Sequence, residues 1–297
     1  MPIPKIIIQT WKTSDLPHYY KHTQHILMQN NPDYEYKFFD DDNITQFIHN
    51  KYPQFEVTVS RFKKKIQLID FFRMLVIYEY GGFYFDMDVE VTKNLDPLLV
   101  HECVFPVEML RFSTVLKDMG YNYNIGNYAF GASRRNPVIW YIIKSIVKVM
   151  EDPSYVSPHL VVIADNIEPD RFDKSDKQID IDNKSREAEV IMQEYVYHTT
   201  GPVMVSKAIY ECLARESDDA AMDIKLLYPE KWPSYSSWFL FGDYAKHTMT
   251  GTWKAGGWIN ENENSKIGTG FVILTYIFVL CVVLAIMAYV VQLDKTS

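Results

Sequence analysis

The sequence predicts an α/β fold, with a mixed, mostly parallel sheet between helices, followed by one C-terminal transmembrane helix. Strand-like and helix-like stretches alternate along most of the chain, and this alternation is typical of layered folds built on parallel strands. Residues 271–291 form a run without a charge. A helix of about 20 apolar residues crosses the hydrocarbon core of a bilayer, whereas helices of soluble domains usually keep a polar face.

The expected elements follow from hydrophobic periodicity and from glycine and proline signals. Glycine accepts the left-handed conformation common at helix ends, so Gly81 and Gly82 end the longest predicted helix. Pro202 suits the first turn of a later helix. The predicted elements are strands at 5–11, 34–40, 83–87, 102–107, 127–133, 159–164 and 224–228, and helices at 18–29, 42–50, 60–79, 137–150 and from 202 onwards.

Domain organisation follows from changes in composition along the chain. We expect one domain over residues 1–258 with a polar surface insertion at 165–189, then a linker at 259–270, the transmembrane helix at 271–291 and a short tail at 292–297. The N-terminus does not resemble a signal peptide. The simplest topology therefore leaves the domain in the cytosol, and an endoplasmic reticulum or Golgi membrane is the alternative.

The overall composition excludes several classes of protein. The chain has 297 residues, of which 47% are hydrophobic, enough for a sizeable core. It carries 30 basic and 38 acidic residues, a net charge of −8, and no basic run, so nucleic acid is not an expected partner. The three cysteines show no C-x-x-C pair, which argues against a structural zinc site or a disulfide framework.

Two aspartates stand one residue apart at the end of an aromatic strand, in the stretch GGFYFDMDVEV. Side chains alternate along a strand, so Tyr84, Asp86 and Asp88 are expected on the face opposite the apolar residues. Ligands in open α/β sheets bind beyond the carboxyl ends of the strands, where these acids fall. Two carboxylates suit Mg²⁺ or Mn²⁺, usually shared with substrate phosphates.

The preceding helix adds a second polar pair. Asp70 and Arg73 are three residues apart and therefore lie on the same side of the helix. Taken alone, the pair is more readily explained as an ion pair on the helix surface. Because the helix leads directly into the aspartate strand, the functional interpretation is favoured: the arginine could face a phosphate and the aspartate could accept from sugar hydroxyls.

Together the run DFFRMLVIYEYGGFYFDMD, residues 70–88, resembles the sugar-binding region of glycosyltransferase family 32. The opening IPKIIIQTWK resembles the family's first strand, with Ile8 where histidine is usual. TGP at 200–202 and HTMTGTW at 247–253 also resemble family motifs. That family includes initiating α-1,6-mannosyltransferases and inositol-phosphoceramide mannosyltransferases.

The resemblance implies a GT-A-like fold and a metal-dependent, anomer-retaining transfer of a hexose from a nucleotide sugar. Asp86, Asp88 and Arg73 would be the catalytic residues, and Asp86, Asp88 and His247 would bind Mn²⁺ or Mg²⁺. Asn127 would lie on the acceptor side. The donor-binding residues that the resemblance implies are Thr10, Trp11, Asp70, Arg73, Gly82, Tyr84 and Trp253.

The expected partners are a nucleotide sugar (GDP-mannose or a UDP-hexose), a glycan or lipid acceptor, and a membrane. Mannose is favoured as the sugar, with galactose or glucose next. Two alternatives stay open from the sequence. One is a membrane-anchored relative that binds sugar nucleotides without catalysis. The other is a phosphatase of the haloacid-dehalogenase type, which also begins with D-x-D after an apolar strand. Such phosphatases usually have Thr or Val two residues after the second aspartate, where this chain has Glu90.

Overall fold

The computed structural model describes residues 1–109, 120–121, 123–152, 192–214, 223–230 and 239–250. The strands are β1 (Ile6–Thr10), β2 (Glu35–Phe39), β3 (Gly82–Phe85), β4 (Val89–Val91), β5 (Cys103–Met109), β6 (Tyr123–Ile125), β7 (Ala129–Ala132), β8 (Ile224–Leu227), β9 (Leu240–Phe241) and β10 (Ala245–His247). The helices are α1 (His18–Asn30), α2 (Asp41–Lys51), α3 (Glu56–Ser60), α4 (Lys65–Tyr80), α5 (Pro137–Glu151) and α6 (Pro202–Ala214). Residues 192–199 are also helical.

The main sheet has seven strands in the order β2-β1-β3-β7-β5-β6, with β8 added alongside β5. Strand β1 pairs in parallel with β2 and β3, and β5 pairs in parallel with β8. The exceptions are β7, antiparallel to both β3 and β5, and β6, antiparallel to β5. Five of the seven strands therefore point the same way, which confirms the mixed, mostly parallel α/β sheet expected from the sequence. A small antiparallel sheet has the order β4-β10-β9.

Apolar residues cover both faces of the main sheet. On one face Ile8 and Tyr84 belong to a core with residues of α4, α5 and α6. On the other face Ile7, Phe83 and Phe85 belong to a second core with residues of β4 and α1. This alternation follows from the two-residue period of a strand, and it places α4 in the interior, where its residues are buried on nearly every side.

The predicted helix at 60–79 is divided into α3 and α4. The side chain of Gln67 accepts hydrogen bonds from the backbone N–H groups of Lys63 and Lys64, at 2.8 and 3.0 Å. These N–H groups would otherwise lack partners at the start of α4, so a new helix begins at Lys65. The helix ends as predicted, at Gly81, whose φ is +70°.

The predicted strand at 83–87 ends two residues early, at Phe85. The N–H of Asp86 donates to the carbonyl of Tyr128, and the N–H of Val89 donates back to the carbonyl of Asp86. The second bond closes a turn over residues 86–89. Asp88 is therefore placed by this turn and not by strand alternation.

Several expectations concern residues outside the described part of the chain. These are the predicted strand at 159–164, the insertion at 165–189, Trp253, the linker at 259–270, the transmembrane helix at 271–291 and the tail at 292–297. Within the described ranges, no helix has the length and apolarity needed to span a bilayer. Residues Met1–Met249 form one compact unit.

Candidate active site

The polar residues singled out in the sequence meet at one edge of the main sheet. Strands β1 and β3 are parallel and end there, at Thr10 and Phe85. Strand β7 starts at the same edge, because its first residue Ala129 pairs with Phe85. The residues just before it, Asn127 and Tyr128, therefore lie beside the two aspartates.

Asp86, Asp88 and His247 form a compact cluster. One carboxylate oxygen of each aspartate and one ring nitrogen of the histidine lie within 4.8 Å of one another. The histidine is brought there by strand β10, in which it pairs with Val89 of β4. Its Nε2 lies 3.1 Å from Oδ1 of Asp88. Thr248 fixes this register, since its N–H and Oγ1 both donate to the Asp88 carbonyl, at 2.8 and 2.9 Å.

The charged groups of the cluster shift one another's pKa values. Burial raises the pKa of Asp86; Arg73 lowers it and the charge of Asp88 raises it again. For His247, burial lowers the pKa, but the charges of Asp88 and Asp86 outweigh burial and raise it overall. The charge of Asp88 thus destabilises the charged form of Asp86, and a shared cation would relieve that repulsion.

The donor atoms fit a divalent metal ion. Carboxylate oxygens suit Mg²⁺ and Mn²⁺, and an imidazole nitrogen is a common ligand of transition-metal ions. The ring of His247 is held by stacking on Tyr128, with centroids 4.4 Å apart. Its Nδ1 is buried without a hydrogen-bond partner among the described residues. The ring is therefore held by stacking on Tyr128 and by the contact of its Nε2 with Asp88.

Arg73 lies behind Asp86, with its side chain only 3% exposed. Its guanidinium is 3.2 Å from Oδ1 of Asp86 and 3.3 Å from Oδ1 of Asp70. It also donates to the carbonyl of Asn127, at 2.8 Å, and sits 4.9 Å from the ring centre of Tyr84. The arginine predicted to face a phosphate thus contacts two carboxylates and a backbone carbonyl.

Asp70 is fully enclosed by polar partners. It accepts hydrogen bonds from Nδ2 of Asn127 and from Oγ1 of Thr200, both at 3.0 Å. Burial raises its pKa to about 6, although Arg73 and these two donors lower it. Thr200 belongs to the TGP motif, so this motif has a role that the sequence did not specify. It supports Asp70.

Tyr84 links Thr10, the last residue of strand β1, to the cluster by hydrogen bonds. Oγ1 of Thr10 lies 2.9 Å from the hydroxyl of Tyr84, and that hydroxyl donates to Oδ1 of Asp86 at 2.9 Å. Trp11 follows directly and packs against Tyr20, with ring centroids 4.5 Å apart. It lies at the same edge of the sheet and keeps part of its surface open to solvent.

Gly82 is not part of this group. It lies at the opposite end of β3, where a side chain would clash with the carbonyl oxygen of Ile6, and its φ is +101°. Its position allows β3 to pack closely against β1. Trp253 cannot be compared, because it falls outside the described residues.

The sequence reasoning missed Glu108 and Tyr128, which also lie at this edge. Glu108 is 5% exposed, and burial raises the pKa of its carboxyl group from 4.5 to about 7. The available signal was the single acid in the otherwise apolar strand CVFPVEM. Such an acid is unfavourable to bury unless it has partners or a use.

Comparison with known proteins relates part of this chain to D-x-D glycosyltransferases. Residues 17–105 match the family model described as "Glycosyltransferase sugar-binding region containing DXD motif". The resemblance to that family is thereby confirmed over this segment, which contains Asp70, Arg73, Asp86 and Asp88.

Two relatives are mannosyltransferases of yeasts. Inositol phosphoceramide mannosyltransferase 3 of Schizosaccharomyces pombe is 32% identical over 161 residues, which cover 54% of this chain and 41% of the relative. Mannosyl phosphorylinositol ceramide synthase SUR1 of Saccharomyces cerevisiae is 33% identical over 144 residues, covering 48% and 35%. The chain thus spans less than half the length of either relative. Among solved structures, PaToxG glycosyltransferase aligns with a TM-score of 0.44 at 16% identity, over 73% of this chain and 72% of that one.

Proposed function

We propose that the chain is a membrane-anchored, divalent-metal-dependent retaining glycosyltransferase that moves a hexose from a nucleotide sugar to a glycan or lipid acceptor. The observation that carries this proposal is the Asp86–Asp88–His247 cluster at the carboxyl edge of the sheet, within a segment that matches a glycosyltransferase sugar-binding region. The names of the two yeast relatives favour mannose as the sugar and an inositol phosphoceramide as the acceptor.

Asp86, Asp88 and His247 would hold the metal ion, and the two carboxylates suit Mn²⁺ or Mg²⁺. When bound, such an ion supplies positive charge for the diphosphate of the donor and for its departure from the sugar. The two acids must be ionised to serve as ligands. The side chains of Arg73 and Tyr84 set the charge and orientation of Asp86 together with its burial, because both contact its Oδ1 directly.

Asp70 and Asn127 form the second polar group of the proposed site. Their mutual hydrogen bond and the contacts of both with Arg73 hold them rigidly. Because Asn127, Thr200 and Arg73 occupy the carboxylate oxygens of Asp70, this pair would act by holding Arg73 beside Asp86. We assign no carboxylate nucleophile. Attack of the acceptor from the face of the departing diphosphate, with a phosphate oxygen taking the proton, is the pathway we propose.

The membrane anchor in this proposal is the uncharged run at 271–291. We propose that it places the domain on the cytosolic side, with attachment to an endoplasmic reticulum or Golgi membrane as the other arrangement. Protease treatment of intact vesicles distinguishes the two, since a cytosolic domain is digested and a lumenal one is protected.

The test is nucleotide release by the full chain in mild detergent, with a panel of GDP-mannose, UDP-galactose, UDP-glucose and UDP-N-acetylglucosamine. We expect release from one donor that needs Mn²⁺, stops with a chelator, and rises when inositol phosphoceramide or a mannose glycan is added. Release from no donor, with or without these acceptors, would contradict catalysis and favour a binding protein. Phosphate release from simple phosphate esters would favour a phosphatase.

A further inference from the structure

Glu108 is a buried acid at the active edge that the proposed chemistry does not use. Strand β5 runs in the same direction as β3, because both are antiparallel to β7. The end of β5, where Glu108 stands, therefore lies at the same edge as Asp86. The charge of Glu108 also contributes to raising the pKa of His247, so the carboxyl group lies within the electrostatic reach of the metal cluster.

The carboxyl group is held in place from one side only. Its Oε2 accepts a hydrogen bond from Nδ2 of Asn124 at 2.7 Å. Asn124 is held in turn by Oγ of Ser206, at 2.9 Å, and Ser206 donates to the carbonyl of Pro202 at the start of α6. The other oxygen, Oε1, accepts no hydrogen bond from any residue that the structure describes.

Glu108 and Tyr128 pack side by side against a glycine. A Cβ atom on Gly126 would lie 2.7 Å from Oε1 of Glu108 and 2.5 Å from Cε1 of Tyr128. Both distances are too short for a side chain, so residue 126 must be glycine for these two groups to lie where they do. The second oxygen of the acid and the aromatic ring are thus neighbours.

Tyr128 contributes a second polar atom without a partner. Its side chain is 4% exposed, and its buried hydroxyl has no hydrogen-bond partner in the described part of the chain. Leaving a buried hydroxyl unpaired is unfavourable, and a bound ligand can remove that cost. The same ring stacks on His247 at 4.4 Å, so the tyrosine connects Glu108 to the metal cluster.

We propose that Glu108 and Tyr128 form a hydroxyl-binding subsite that holds the transferred hexose next to the metal cluster. This inference rests on the proposed glycosyltransferase function. A buried carboxyl group repels phosphate oxygens but accepts hydrogen bonds from neutral hydroxyls, and a phenol hydroxyl can donate to a second sugar oxygen. The pair therefore favours one orientation of the donor, with its diphosphate toward Asp86, Asp88 and His247 and its sugar toward β5.

The test separates binding of the nucleotide from binding of the sugar. Calorimetry on the full chain in detergent with Mn²⁺ would compare GDP with GDP-mannose, and UDP with UDP-galactose and UDP-glucose. The variants are Tyr128→Phe, which removes an unpaired hydroxyl, and Glu108→Gln, whose amide oxygen can still accept from Asn124. The matched control is Tyr52→Phe, because the hydroxyl of Tyr52 is bonded to Glu79, away from the site.

We expect both variants to bind the nucleoside diphosphate as the wild type does. Affinity for the nucleotide sugar should fall about 3- to 10-fold in Tyr128→Phe and about 10- to 100-fold in Glu108→Gln, the usual range for a lost neutral or charged hydrogen bond. The control should change neither affinity.

Two results would overturn the subsite alone. One is an equal loss of affinity for the nucleoside diphosphate and the nucleotide sugar, which a merely structural role predicts. The other is unchanged affinity for both ligands. If the wild-type chain binds no nucleotide sugar with Mn²⁺, the proposed function itself fails and the subsite with it.

Discussion

Replacing Arg73 tests the idea that one buried cation holds the candidate site together. In Arg73→Met the carboxylates of Asp70 and Asp86 lose the guanidinium that lies 3.3 and 3.2 Å from them, and the carbonyl of Asn127 loses its 2.8 Å donor. Removing one partner of a buried ion pair costs about 3–5 kcal/mol, because the remaining charge stays buried without compensation. We expect the free energy of unfolding to fall by this amount at pH 8.

The stability lost in Arg73→Met should be larger at high pH than at low pH. The pKa of Asp70 is about 6 in the folded chain against 3.8 as the reference value, and it rises further without Arg73. The folded variant therefore binds protons that its unfolded form releases, so acidification stabilises it relative to the wild type. The difference in the free energy of unfolding between wild type and Arg73→Met should shrink to less than half between pH 8 and pH 5. Adding Asp70→Asn to the variant should recover part of the lost stability at pH 8.

The assay is urea unfolding followed by tryptophan fluorescence, in detergent and with chelator so that no metal contributes. Arg134→Met is the matched control, since the Arg134 side chain is 60% exposed and exposed ion pairs contribute at most about 1 kcal/mol. A deficit for Arg73→Met no larger than that of the control, or one that is the same at both pH values, would refute the reasoning.

The remaining predictions concern a metal ligand, a buried acid and a glycine. Asp88→Asn should keep the fold by circular dichroism while Mn²⁺-dependent nucleotide release falls at least ~100-fold; wild-type release at equal Mn²⁺ would exclude Asp88 as a ligand. Because the pKa of Glu108 rises from 4.5 to about 7, stability should fall by about 3 kcal/mol as pH rises through that window. Glu108→Gln should therefore be more stable than the wild type at pH 8 and equal to it at pH 4, and a gap independent of pH would count against this. Gly82→Ala should lower stability by about 3 kcal/mol in urea unfolding, from a strained φ and a clash with β1. Gly120 has a φ of +81° and open space around it, so Gly120→Ala should lose only the stability that the strained φ costs. Equal losses of stability in the two variants would rule out the clash at Gly82.

The elements with strong periodicity were predictable from the sequence. Helices α1, α2 and α5 begin and end within one residue of their predicted limits, since each has a clear apolar face or a capping residue. The division between α3 and α4 was not predictable, because it depends on the side chain of Gln67 turning back to the residues before α4. Periodicity describes which face is apolar and carries no information on such a bond.

At the candidate site, contacts between residues close in sequence could be predicted, and contacts between residues far apart in sequence could not. Asp70 with Arg73, and Tyr84 with Asp86, are close in sequence, and their contacts follow from helix and strand geometry. The partners of Asp70 from the TGP motif and of Glu108 from β6 come from other elements. Their roles depend on burial, which arises only when the sheet and helices are assembled. His247 was placed at the metal by family resemblance, and the cluster geometry is consistent with that assignment.

The β4–β10 pairing has a consequence for the order in which the chain acquires its cation site. His247 is delivered by the last described strand, and Thr248 bonds to Asp88 across 160 positions of sequence. Contacts that distant form late, because the intervening chain must first lose its freedom. During synthesis on the ribosome, β1 to β3 emerge with Asp86 and Asp88 long before His247. The three proposed ligands therefore come together only in the folded domain, and a nascent or truncated chain that lacks β10 would offer a metal ion the two carboxylates without the imidazole.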